Sequence, residues 1–318
     1  MPTPAKFLQI ILVTGDDRIA FLQGQLSCEM VNAEGSIQLA TMCNPKGRII
    51  TIFHVICTSE AVYLVARADL IEPASTHLKR FVFRSKVQIS HQHSINVFLS
   101  DTTSNPEHTL LIPGTIEELN NSNVRARLAN PNTVELTLST NADSSVIGNF
   151  SSNDSEQNAE FFWSYQMHAS AIPELTLEQS EKYLPEPLNL DLSGGISFEK
   201  GCYTGQEVIA RMHYLGKAKK RLYQFATNNP IIINGAMSVF DQQGNNIGEV
   251  FSVTADYKSL ITTSPIAASH SEKSLIGLAI LTRHPPDNTI DSETHQYWIN
   301  QAPDEPDSIS IKASCPKY

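Results

Sequence analysis

The sequence predicts an α+β fold in which two α/β halves are followed by a small β-barrel. Strands and amphipathic helices alternate over residues 7–99, and a more polar stretch of strands and a helix follows. Beyond residue 221 only short strands and tight turns occur. A chain of 318 residues is also longer than one core usually supports. We therefore expect a region over 1–221, with halves of approximately 1–100 and 101–221, and a barrel domain over 222–318.

The first half follows the order β-α-β-β-α-β, which is typical of a ferredoxin-like arrangement. Its clearest signal is a hairpin, because the strand-like runs 37–43 and 48–57 flank a turn, Asn44-Pro45-Lys46-Gly47. Apolar residues at helical spacing predict helices over 16–25 and 69–85. The other strands are predicted at 7–13, 61–66, 87–89 and 95–99.

The second half is polar between 100 and 155, where two runs, 124–128 and 134–138, look like edge strands. A helix is predicted over 160–171 and ends before Pro173. Proline and glycine then predict an irregular segment over 172–199. In the last domain short strands predict a small barrel. They lie at 222–226, 237–240, 246–253, 259–262 and 275–281.

Composition narrows the class of protein. Hydrophobic residues make up 41% of the chain, and no basic leader or long apolar run occurs. We therefore expect a cytoplasmic protein with no membrane contact. The five cysteines form no C-x-x-C pair, and His91 and His93 have no acidic or cysteine partner at ligand spacing, so we expect no metal. A net charge of −10 excludes unspecific coating of nucleic acid.

A basic island interrupts this acidic chain. Residues 200–221 contain six Lys or Arg and one acid, Glu207, and begin with the run KGCYTGQE. Thr204 and Glu207 fit a capping box at the start of a helix over 205–214. Cys202 would lie just before that helix start, where exposed amides, the positive end of the helix dipole and the nearby Lys200 favour an anion. A small buried packing residue is the alternative, and on the residues alone both interpretations of Cys202 stand.

The run at 200–207 resembles, at all eight positions, the signature of the YgfZ family. These are folate-binding tRNA-modifying proteins related to the glycine-cleavage T-protein (GcvT, aminomethyltransferase). Weaker similarity extends to 21–25, 43–48 and 192–198.

The resemblance implies a folate cofactor, tetrahydrofolate or a one-carbon derivative, bound by the GcvT-like region. It implies that Cys202 is a redox or transfer thiol and that Trp163 contacts folate, although a tryptophan in an amphipathic helix is otherwise a core anchor. Phe7 stands near the place of a second folate-contacting tryptophan of the family. The other cofactor-binding candidates are Lys200, Gly201, Tyr203, Gln206, Glu207 and Arg211.

Three functions remain open, of which the first is a folate-dependent accessory protein that supports iron–sulfur enzymes, including those that modify tRNA. A tetrahydrofolate-dependent aminomethyl transferase is the second. It is disfavoured because the acidic pair of such enzymes is replaced by Thr51 and Ile52, which cannot act as proton acceptors. Direct tRNA binding through the basic residues of 217–221 is the third, and such a run is often only a soluble strand edge. The family also implies a monomer.

Overall fold

The chain folds into two compact units. The structure is a computed structural model that describes residues 4–102, 111–119, 123–140, 156–216, 218–229, 237–255, 274–282, 295–300 and 309–317. The first unit comprises 1–160, 174–185 and 190–215, and the second comprises 161–173, 186–189 and 216–318. The predicted boundary between 221 and 222 remains a prediction. The strand predicted at 259–262 lies outside the described residues.

Four α-helices, two short 3₁₀ helices and fifteen strands are described. The α-helices are α1 (Arg18–Gln23), α2 (Ala68–Lys79), α3 (Glu156–Ala169) and α4 (Gln206–Leu215). The 3₁₀ helices are Leu177–Gln179 and Glu186–Leu188. No helix in the described ranges is long and apolar enough to cross a membrane.

A five-stranded antiparallel sheet forms the first half of the first unit. Its strands lie in the order β2-β3-β4-β1-β5, and within it β5, β1, β4 and β3 follow one another as in a ferredoxin-like sheet. This confirms the predicted fold class. The strands are β1 (Leu8–Thr14), β2 (Ser36–Cys43), β3 (Ile49–Cys57), β4 (Ala61–Arg67) and β5 (Gln88–Gln92).

Two details of this half differ from the sequence pattern. The order is not β-α-β-β-α-β, because all three strands predicted at 37–43, 48–57 and 61–66 lie between α1 and α2, and β2 adds to the sheet edge by pairing with β3. Helix α2 ends at Lys79, although its apolar spacing continues to Phe81. Phe81 and Val82 pack against the same core as α2 from the turn that follows it, and this explains the overestimated length.

The core of this sheet consists of buried apolar side chains. Ile71 and Leu78 of α2, which lie on one face at helical spacing, are fully buried with Ile11 and Val13 of β1. Burial of a side chain of this size contributes about 1.5–3 kcal/mol. The turn between β2 and β3 therefore joins two strands of a sheet that packs on a buried core.

A second antiparallel sheet follows in the order β6-β9-β8-β7, with β6 (Asn96–Asp101), β7 (Ile116–Glu118), β8 (Val124–Arg127) and β9 (Val134–Ser139). The run assigned to the end of the first half is thus the first strand of this sheet. The prediction that β8 and β9 are edge strands is wrong, because both lie inside the sheet and β9 is buried throughout. Arg125 joins three strands through ion pairs of 2.9 Å to Glu117 and 3.0 Å to Glu135.

The second unit contains the predicted barrel, which closes with six antiparallel strands in the order β10-β13-β12-β11-β14-β15. Phe225, Leu281 and Ile299 are among its core residues. The sequence pattern did not reveal β14 and β15. The strands are β10 (Lys220–Thr227), β11 (Ser238–Phe240), β12 (Asn246–Ala255), β13 (Leu275–Thr282), β14 (His295–Ile299) and β15 (Ile309–Ser314).

Two buried histidines predict a loss of stability in acid. Burial lowers the pKa of His54, in β3, and of His168, in α3, to about 4. An unfolded chain holds these side chains at about 6.5, so it binds more protons between pH 6.5 and 4. The contribution of each neutral histidine to the free energy of unfolding is complete above pH 6.5. As the pH falls to 4, each histidine loses as much as about 3 kcal/mol of this contribution.

Urea unfolding at several pH values measures this effect. A His168→Gln variant should lose less stability between pH 7 and 5 than the unchanged chain. Equal losses in the two proteins would contradict the assignment.

Candidate functional site

The start of α4 rests against the turn between β2 and β3. Gly205 has a φ of +84°, and a Cβ added to it would lie 2.6 Å from the carbonyl oxygen of Asn44. On the turn, Gly47 has a φ of +72°, and a Cβ there would lie 3.0 Å from the Cβ of Val208. Two glycines thus allow the signature and the hairpin turn to touch.

Asn44 fixes the turn from within. Its Oδ1 accepts hydrogen bonds from the main-chain N–H groups of Lys46, at 2.9 Å, and Arg48, at 3.1 Å. Its Nδ2 donates to Glu181 Oε2 at 3.0 Å. The sequence predicted the turn, but not this second contact.

The helix start differs from the predicted capping box. Helix α4 begins at Gln206, whose Oε1 accepts the main-chain N–H of Tyr203 at 3.3 Å. The hydroxyl of Thr204 instead donates to Gln25 Oε1 at 3.4 Å, and its N–H donates to the carbonyl of Gly24 at 3.1 Å. Thr204 therefore ties the signature to the segment after α1.

Lys200 makes the strongest of these ties. Its side chain is buried, and its Nζ donates to the carbonyl oxygens of Gln23, Leu26 and Cys28 at 2.8, 2.7 and 2.7 Å. Three bonds use all the hydrogens of an ammonium group. Burial lowers the pKa of Lys200 to about 8, so the ammonium remains mostly protonated at neutral pH. Its role as a folate ligand remains a prediction.

Cys202 is exposed, and so is Gly201 before it. Apart from Gly201 itself and its two neighbours in sequence, no heavy atom of the described residues lies within 4 Å of a Cβ built on Gly201. Cys28, Cys43 and Cys57 are buried, and burial raises the pKa of the Cys28 and Cys43 thiols to about 12. Cys202 is therefore set apart from these three thiols by its exposure.

Tyr203, unlike the neighbouring Cys202, is buried. It is 7% exposed, and its hydroxyl has no hydrogen-bond partner within the described part of the chain. Burial raises the pKa of this hydroxyl well above its usual value. The Lys200 ammonium lies 5.0 Å from the centre of its ring.

The remaining predicted site residues lie in different surroundings. Gln206 and Phe7 are half-buried, whereas Glu207 and Arg211 are exposed on α4 and in its first turns. Trp163 belongs to the second unit and is 1% exposed, which is the burial of a core anchor. Its contact with folate remains a prediction.

Thr51 and Ile52, the residues predicted to replace an acidic pair, lie in β3. Thr51 is fully buried, and its hydroxyl donates to the carbonyl of Ile52 at 3.4 Å. Neither side chain can accept a proton at neutral pH.

Only part of the basic run is available to a ligand. Lys219 and Lys220 are exposed, and Lys217 lies outside the described residues. The guanidinium of Arg221 donates to the main-chain oxygen of Glu186 at 2.8 Å and pairs with its carboxylate at 3.3 Å.

One feature of the signature region had no sequence signal. The ring of Phe198 stacks on the ring of His213, with 3.7 Å between the ring centres, and the ring of Tyr214 meets both of them edge-on. Tyr214 is 67% exposed. The three residues are brought together by α4, and spacing alone did not pair position 198 with 213.

Gly205→Ala should destabilise the chain by about 2 kcal/mol or more, because an alanine would adopt a positive φ and meet the Asn44 carbonyl. Urea unfolding measures the change. Gly201→Ala is the matched control, since its Cβ would project into open space, and it should change stability by less than about 0.5 kcal/mol. Equal effects of the two substitutions would contradict the packing described.

Comparison with solved structures identifies the fold. The glycine cleavage system aminomethyltransferase T of Bartonella henselae superposes with a TM-score of 0.67 at 13% identity, covering 99% of this chain and 84% of that one. The chain therefore has the GcvT-like fold. No family model matches the sequence.

Curated relatives identify the family. The tRNA-modifying protein YgfZ of Aliivibrio fischeri is 31% identical over 225 residues, 67% of this chain and 67% of that protein. The YgfZ of Vibrio atlanticus is 28% identical over 233 residues, 70% of this chain and 68% of that protein. The chain belongs to the YgfZ family.

Proposed function

We propose that this protein is a folate-binding accessory protein that supports iron–sulfur enzymes and thereby tRNA modification. The relatives named tRNA-modifying protein YgfZ support the link to tRNA modification, and the GcvT-like fold supports the link to folate. The observation that carries the proposal is the exposed thiol of Cys202 within the family signature.

The surroundings of Cys202 favour a working thiol over a packing residue. A cysteine kept for packing is normally among the most buried side chains, as Cys28, Cys43 and Cys57 are. Cys202 instead follows the open Gly201, on a backbone that Lys200 and Gly205 hold at both ends. A reactive group on a fixed backbone is pre-organised for a partner.

Folate would use flat stacking area and a few polar groups of the chain. In this proposal tetrahydrofolate, or a one-carbon derivative, is held by Phe7, by Trp163 and by signature residues Gly201, Tyr203, Gln206, Glu207 and Arg211. The buried Tyr203 hydroxyl without a described partner is a donor that a ligand could satisfy. Trp163 would have to become accessible, because it is a core residue in the structure.

An aminomethyl transferase is the weaker candidate. Thr51 and Ile52 leave that part of β3 without a proton acceptor, and loss of such a group costs about two to four orders of magnitude in rate. Direct tRNA binding is also weaker, because Arg221 is engaged with Glu186. We propose a monomer in the cytoplasm that acts on tRNA through its client enzymes.

Deletion of the gene tests the proposal. Cells without it should lose most of the tRNA nucleosides whose modification depends on iron–sulfur enzymes, and nucleosides made by other enzymes should stay at normal levels. Mass spectrometry of digested tRNA measures both classes. Unchanged iron–sulfur-dependent nucleosides, or an equal fall in both classes, would contradict the proposal.

A further inference from the structure

A cleft of about 330 Å³ lies on the first unit, and no residue of the signature at 200–207 lines it. Helix α2 forms one wall, and the segment around 180 forms the other. This volume is at the lower end of the range of about 300–1,000 Å³ for small-molecule sites. The polar lining residues are Glu72, Thr76, His77, Arg80, Ser180 and Glu181.

Opposite charges line this cleft without neutralising one another. Arg80 has no hydrogen bond from its guanidinium and no carboxylate oxygen within 4.0 Å in the described ranges. Glu72 Oε1 accepts the hydroxyl of Thr76 at 3.2 Å, and Glu181 Oε2 accepts the Asn44 amide at 3.0 Å. Each carboxylate retains an oxygen that these two bonds do not use.

Two further observations indicate a ligand-binding site rather than an incidental surface depression. His77 Nε2 is buried and has no hydrogen-bond partner among the residues described. Glu181 has a φ of +60°, a conformation that costs a non-glycine residue about 1–3 kcal/mol. The strained backbone is held by the main-chain bond from Glu181 to Ile49, at 2.7 Å, and by the Ser180 hydroxyl, which donates to Ile50 at 2.8 Å.

We propose that this cleft binds a small diamino carboxylic acid of the lysine type. Two carboxylates and one guanidinium give the lining a net charge of −1, and such a ligand carries two ammonium groups and one carboxylate. Arg80 binds the carboxylate of the ligand in a forked geometry, and Glu72 and Glu181 each bind one ammonium. His77 Nε2 completes its bonding on the ligand. Neither the GcvT-like fold nor the signature predicts this second site.

Isothermal titration of the full chain with L-lysine tests the proposal. L-Lysine should bind saturably, and Arg80→Gln and Glu181→Gln should each weaken the binding about tenfold or more, as loss of a charged hydrogen bond does. Lys79→Gln is the matched control, because it removes an exposed cation of α2 that does not line the cleft; its affinity should stay within about twofold.

Two ligand analogues separate the charges. L-Norleucine lacks the side-chain ammonium and cadaverine lacks the carboxylate, so each should bind about tenfold or more weakly than L-lysine. Absence of L-lysine binding, unchanged binding in Arg80→Gln, or equal binding of cadaverine would overturn the proposal. A loss of affinity in Lys79→Gln as large as in Arg80→Gln would overturn it too, since the attraction would then be unspecific.

Discussion

Cys202→Ser should abolish the ability of this protein to restore iron–sulfur-dependent tRNA modification in cells that lack the native gene. Serine has nearly the same shape as cysteine, but its hydroxyl is neither a thiolate nucleophile nor a redox group. Because Cys202 is exposed, the substitution should leave the free energy of unfolding within about 0.5 kcal/mol. Mass spectrometry of tRNA nucleosides measures the restoration.

Cys315→Ser is the matched control for this result. Cys315 is the other cysteine of the chain that is not fully buried, and it lies outside the signature. Its serine variant should restore modification like the unchanged protein. Full restoration by the Cys202 variant would remove the thiol from the account, and failure of both variants would show a general need for cysteine.

Lys200→Met should destabilise the first unit by about 3 kcal/mol. Methionine keeps the buried stem of the side chain but removes the ammonium, which leaves the carbonyls of Gln23, Leu26 and Cys28 without this donor. A buried hydrogen-bonding group that loses its partner costs about 1–3 kcal/mol. A loss of this size lowers the Tm of a unit of about 200 residues by roughly 6–12 °C.

The control for this substitution is Lys46→Met, which removes the same charge from the exposed hairpin turn. Its Tm should change little, because surface substitutions usually stay within about 0.5 kcal/mol. Thermal unfolding measured by circular dichroism gives both values. If Lys200→Met unfolded at the temperature of the Lys46 variant, the three carbonyl bonds would not hold the signature in place.

Local patterns were sufficient for much of the fold. The turn at Asn44-Pro45-Lys46-Gly47 was predictable because proline and glycine set its backbone angles, and the runs on either side of it pair with each other as β2 and β3. The barrel was readable from short strands and turns. The sheet to which each strand belongs was not predictable. Strand β6 directly follows the first sheet in sequence but pairs with β9, and only this distant partner decides in which sheet β6 lies.

The site was predictable where the motif itself carries the information. Exposure of Cys202 agrees with the glycine-flanked run around it, although its chemistry remains to be tested. The bonds of Lys200 reach 177 residues back along the chain, to Gln23, and no local pattern indicates such a partner. Burial of Trp163 likewise depends on the packing around α3. The amphipathic spacing alone indicated a core anchor, whereas the family resemblance implied a contact with folate.

Titration of tetrahydrofolate against the purified chain by calorimetry tests the proposed folate binding most directly. We expect saturable binding at one site per chain, weakened by Trp163→Phe and unchanged by Lys46→Met. An absence of saturable binding in the unchanged protein would contradict it.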